Sequence, residues 1–142
     1  EPGYQVPPQL AGLPKTEVEV RSRSGTHYFQ VWIAADAGSR ERGLMFVREM
    51  PEDHGMLFLF ERAQYTSFWM ENTYLSLDLL FIAEGGVVAR IARAAEPMSL
   101  TPIDSEVPVM AVLEVAAGTA ARLGIQAGDF LTSPALPAMR RP

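Results

Sequence analysis

Apolar and polar residues alternate through much of the chain. Glu17-Val18-Glu19-Val20-Arg21 alternates strictly, the period of a strand with one buried face. Ser24-Gly25 turns the chain, and residues 28–34 read as the returning strand. Phe29, Val31 and Ile33 then share one face, and Tyr28, Gln30 and Trp32 the other. Asp36 offers a helix N-cap, and residues 39–45 fit a short helix that ends near Gly43. Strand-like runs follow at 55–60, 67–70 and 77–82. Glu84-Gly85-Gly86 reads as a hairpin turn with a return strand at 87–91, and 107–116 is a longer strand. Thr119 is placed to cap a second short helix through Leu123, with Gly124 as its stop; Phe130-Leu131 is the last strand. About eight short strands with one or two short helices predict an all-β fold, a compact sandwich or barrel. An α+β fold is the alternative if the helices are longer.

Proline marks both ends. Pro2, Pro7, Pro8 and Pro14 fall within the first fifteen residues, and Pro134, Pro137 and Pro142 within the last ten. Proline fixes φ and removes a backbone donor, so neither stretch suits a regular ladder. Residues 1–15 and 133–142 are therefore expected as tails around a single β-rich domain at 16–132. The whole chain of 142 residues is long enough for one domain and too short for two.

Composition removes several classes of activity. The chain has no cysteine, which excludes disulfides, thiol catalysis, zinc ribbons and iron–sulfur clusters. A formal charge of −5 argues against a broad basic face for nucleic acid. No apolar run reaches the roughly 18 residues of a membrane-spanning helix. The two histidines, His27 and His54, sit in unrelated segments, with no His-Glu-x-x-His motif. Seven methionines invite a copper reading, but they lack close Met-x-Met or His-Met clustering and suit core filling better. No nucleophile elbow and no phosphate loop is present. No metal and no cofactor is expected.

Several segments carry a resemblance when taken together. They are Glu41-Arg42-Gly43-Leu44-Met45, Gly55-Met56-Leu57-Phe58-Leu59-Phe60, Ser67-Phe68-Trp69-Met70-Glu71-Asn72-Thr73 and Leu77-Asp78-Leu79-Leu80-Phe81-Ile82. Val112-Leu113-Glu114-Val115 with Gly118, and Gly128-Asp129, follow. In this order and spacing they resemble the domain-of-unknown-function family 192 of bacteria and archaea. The resemblance implies a compact all-β domain, often exported or lipid-anchored, with no assigned activity. The Glu-Arg pair lies about two residues closer to Gly-Leu-Met than in the usual family pattern, so either Arg40 or Arg42 can be the family arginine. The resemblance, with a start at Glu1 rather than methionine, sets an expectation of a periplasmic or extracellular location.

Five residues carry the candidate chemistry. Trp69 lies beside Ser67 and Thr66; it is either a stacking platform for a sugar or flat ligand, or a ring closing the edge of a core. Asn72 either closes a turn or offers its amide to a ligand. Asp78 and Glu114 both have apolar same-face neighbours, and a buried carboxylate needs partners. Arg42 is the expected partner, pairing with Glu114 or Asp78 to anchor the first helix to the sheet. Two functions follow. The first is a non-catalytic binding or accessory module with a small polar-aromatic pocket, for which a carbohydrate or other small molecule is the candidate ligand. The alternative is a hydrolase acting on glycans through paired carboxylates Asp78 and Glu114.

Overall fold

The computed structural model describes residues 3–136. A turn of helix, α1 (Pro8–Ala11), precedes the hairpin of β1 (Lys15–Ser22) and β2 (Gly25–Ala34). Then come α2 (Ala37–Arg42), β3 (His54–Gln64) and the two-residue β4 (Ser67–Phe68). β5 (Leu77–Ile82) and β6 (Val88–Ala95) form a second hairpin. The chain ends in β7 (Ile103–Asp104), β8 (Val109–Ala116), α3 (Thr119–Leu123) and β9 (Phe130–Thr132). Seven strands make one sheet in the order β6-β5-β8-β3-β2-β1-β9, and β4 pairs with β7 separately. Every neighbouring pair is antiparallel except β2 and β3. A bridge between Val87 and Phe130 ties the first edge of the sheet to the last. The all-β expectation holds, as a curled sheet forming a half-barrel.

The alternation in the sequence sets which side chains go where. Val18, Val20, Phe29, Val31, Leu80 and Leu113 belong to the inner cluster, which draws on strands at both edges. Trp32, Met56, Phe58, Leu79, Phe81 and Val112 form a second cluster on the other face. The central strands are thus buried on both sides, and all six residues of β5 are buried. Gly55 sits where β3 crosses β8; a Cβ there would run into the Glu114 carbonyl oxygen.

Four local expectations need correction. The first helix spans Ala37–Arg42: it starts two residues earlier than expected and ends at Gly43 as expected, since Gly43 leaves the helix at φ 49, ψ −130. That conformation is open to glycine and strained for any other residue. The strand at 67–70 is only Ser67–Phe68, since Met70 turns to bond Ser99 through its amide. Thr119 is not a cap: Gly118 takes that position, and Thr119 is the first helical residue. The N-terminal stretch, expected as a tail, packs against the domain. Leu10 is buried in the second cluster, and the Ile33 amide donates to the Pro14 carbonyl. Of the other expected tail, Ser133 bonds the Glu17 carbonyl and Leu136 is buried, while 137–142 lie outside the described residues.

Candidate functional site

The second cluster is not sealed. Beside α2 it opens into a cleft of about 330 Å³, lined among others by Arg42, Phe58, Phe60, Phe68, Trp69 and Glu114. The cleft follows from strand parity. Phe58 and Phe60 lie on β3 with the parity of Met56, and Met56 pairs directly with Glu114. On its other side Glu114 pairs with Leu79 of β5. Met56 and Leu79 are both fully buried, so the Glu114 carboxyl rises between two apolar side chains.

Glu114 itself is only 5% exposed. Among the described residues, no arginine, lysine or hydrogen-bond donor reaches its carboxyl. Desolvation pushes its pKa up to about 8, which keeps it mostly protonated near neutrality. The carboxyl is largely desolvated and lacks a protein partner, but it is not sealed in, since its residue lines the cleft.

Above it sits α2, held by a reciprocal cap. The Ser39 amide donates to Asp36 Oδ1 at 2.8 Å, and the Asp36 amide donates to Ser39 Oγ at 3.3 Å. The Ser39 amide also holds the Asp36 carboxyl below its usual range. The anchoring arginine is Arg40. Its Nη1 donates to the Ala35 carbonyl at 2.7 Å and the Leu59 carbonyl at 3.0 Å, and its guanidinium lies 5.5 Å from the Phe60 ring centroid. Arg42 is exposed and pairs with neither Glu114 nor Asp78. The expected Arg42 anchor is therefore wrong in both partner and residue. The helix is tied by Arg40 to backbone carbonyls, and Arg42 stands at the cleft rim.

Asp78 belongs to the other face. It pairs with Val115, whereas Glu114 pairs with Leu79, so the two carboxyls point to opposite sides of the sheet. Asp78 accepts from the amides of Ala94, Gly118 and Ala120 at 2.9, 3.1 and 3.0 Å. Three backbone donors account for a carboxylate that is only 1% exposed. The sheet separates it from Glu114, which removes the paired-carboxylate geometry of a glycan hydrolase. Asn72 does not line the cleft either. It holds φ at 55, a conformation asparagine tolerates, and its carbonyl accepts from the Phe46 amide. The turn role of Asn72 is present in the structure.

Trp69 does reach the cleft. It is 47% exposed and forms part of the wall beyond Phe68, whose ring packs edge-on to Phe58 at 4.9 Å. Of the five candidates, the structure brings together Trp69, Glu114 and Arg42. Reasoning from the sequence missed Phe58, Phe60 and Phe68. For Phe58 and Phe60 the signal was the parity shared with Met56, whose place beside Glu114 depends on the β3–β8 register; Phe68 comes from β4. Of the methionines in the motif segments, Met56 and Met70 are core residues, and Met45 is half-buried and lines the cleft.

The family model described as "Uncharacterized ACR", domain-of-unknown-function family 192, matches residues 18–133. The chain belongs to that family. It is similar to a crystallised protein of Sinorhizobium meliloti proposed to be a transcription regulator, with 47% identity and a TM-score of 0.83 over 85% of this chain and 95% of that one. It is also similar to a crystallised protein of unknown function from Novosphingobium aromaticivorans, with 38% identity and a TM-score of 0.85 over 90% of this chain and 91% of that one. No curated protein matches the chain.

Proposed function

We propose that this chain is a non-catalytic binding module whose ligand is a small molecule seated in the cleft between α2 and the β3–β8 pair. One observation carries the reading. Glu114 is a buried carboxyl without a partner, facing a cleft walled by aromatic rings. A largely desolvated carboxyl with no protein partner gains when a ligand supplies one. The cleft volume of about 330 Å³ suits a small ligand. Trp69, with Gln64 and Ser67 at the rim, supports testing sugars. We extend the proposal to an exported location, supported by the family resemblance alone; fractionating cells that express the full gene tests it.

The description of the Sinorhizobium protein as a regulator does not favour nucleic acid here. This chain carries a net charge of −5, and its longest helix among the described residues, Ala37–Arg42, has six residues. That is too short to fill a major groove.

The test is a thermal-shift screen of sugars, amines and small acids on the wild-type chain beside Glu114→Gln. A ligand raises the melting temperature by mass action. The proposal expects at least one compound to stabilise the wild type and lose that effect in Glu114→Gln. Stabilisation that is indifferent to Glu114, or none from any compound class, contradicts it.

A further inference from the structure

The chemistry of the cleft narrows what enters it. Its deep polar group is the Glu114 carboxyl, whereas Gln64 and Ser67 are exposed at the mouth. A sugar needs several polar partners along its length; besides Glu114 the buried lining offers only Thr73, whose hydroxyl already donates to the Glu71 carbonyl. The walls are instead rings: Phe58, Phe60 and Phe68, with Trp69 outside them. Aromatic rings attract cations electrostatically, and the Arg40 guanidinium already lies against Phe60. Arg40 is not free to reach Glu114, because its Nη1 is engaged by two carbonyls. The charged groups lining the cleft are Glu41, Arg40 and Arg42 from α2, Glu71 from the segment after β4, and Glu114 from β8; β3 and β5 contribute none. With Glu114 protonated in the empty site, Glu41 and Glu71 balance Arg40 and Arg42 around the cleft.

Resting on the binding-module reading, we propose that the cleft takes a small organic ammonium ion, its nitrogen against the Glu114 carboxyl and its alkyl groups among the phenylalanine rings. The cation supplies the charge that the carboxyl lacks within the chain. Binding must also displace a proton, since the empty site holds Glu114 mostly protonated below its pKa of about 8. Affinity for a permanently charged ammonium then rises roughly tenfold per pH unit from about pH 6 to 7 and levels off above about pH 8. A neutral ligand shows no such rise.

The experiment is titration calorimetry of the whole chain with tetramethylammonium and n-butylammonium, tert-butanol as the uncharged control and glucose as the sugar arm. Amide chemical shifts locate each response. The expected result is ammonium binding at cleft amides, affinity rising with pH, and about tenfold or greater weakening in Glu114→Gln. Trp69→Ala, at an exposed position, serves as the second variant and is expected to weaken binding while the fold is retained. Ammonium binding that is unchanged in Glu114→Gln, or flat with pH, overturns the inference. Glucose moving cleft amides while neither ammonium does so overturns the inference and leaves the binding-module reading standing. No cleft response to any probe here, or to any compound of the thermal-shift screen, overturns both.

Discussion

Asp78 accepts a hydrogen bond from the Ala120 amide at 3.0 Å, across 42 positions of sequence. One carboxylate on β5 thereby caps α3, whose own preceding residue, Gly118, offers no side chain. The same carboxylate holds Ala94, where β6 passes through φ 50. Removing it strands three amides in the interior. Asp78→Ala should lose about 3 kcal/mol or more, and Asp78→Asn less, because one acceptor oxygen remains. Urea denaturation measures both. Cleft binding by the folded fraction should be unaffected, since Asp78 faces the other side of the sheet.

Arg40 and Arg42 should separate in the same assay. Arg40→Ala removes two charge-assisted bonds to carbonyls and a contact with Phe60, and should cost about 1–2 kcal/mol. Arg42→Ala changes an exposed side chain and should stay within about 0.5 kcal/mol. Equal losses would mean that the tether assignment is wrong.

Stability should fall as pH rises from about 4.5 to about 8. Glu114 titrates near 4.5 when solvated and at about 8 in the folded chain. Between those values the folded state holds a proton that the unfolded state has given up. The contribution is complete below about pH 4.5, declines at up to about 1.4 kcal/mol per pH unit, and levels off above about pH 8. Glu114→Gln should flatten this slope and melt higher than the wild type at pH 8. Melting curves from pH 5 to 9 on both proteins check the sign.

The N-terminal segment should matter for folding. Leu10 is 1% exposed, so Leu10→Ala should cost about 2–4 kcal/mol by leaving a cavity beside the second cluster. A loss below about 0.5 kcal/mol would return residues 1–15 to the status of a tail.

Much of the fold was legible because alternation is a local property. Glu17 to Arg21 and the apolar run from Leu77 to Ile82 announce strands without help from the rest of the chain. The tail was misread for the opposite reason. Prolines exclude a ladder, but nothing local says whether Leu10 meets a core. The site was harder still. Asp78 and Glu114 both read as carboxylates on apolar faces, and that much was correct. Whether they share a face depends on the β5–β8 register, in which Leu79 and not Asp78 opposes Glu114. A slip of one residue would have put them together. Arg40 and Arg42 posed the same kind of question. Gly43 ends the helix, which leaves Arg40 over β3 and Arg42 at the rim. Gly43→Ala should therefore disturb both the helix end and the cleft, since a Cβ there would lie 3.2 Å from the Phe58 ring.

The unpartnered carboxyl of Glu114 is the centre of this account, and carbon-13 NMR of the glutamate side-chain carboxyls against pH observes it directly. The account predicts one glutamate, assigned by its loss in Glu114→Gln, with a midpoint near 8, well above its ordinary value of 4.5. A Glu114 midpoint near 4.5 would contradict it, because the carboxyl would then be solvated or paired and the cleft would hold no unsatisfied group for a ligand to meet.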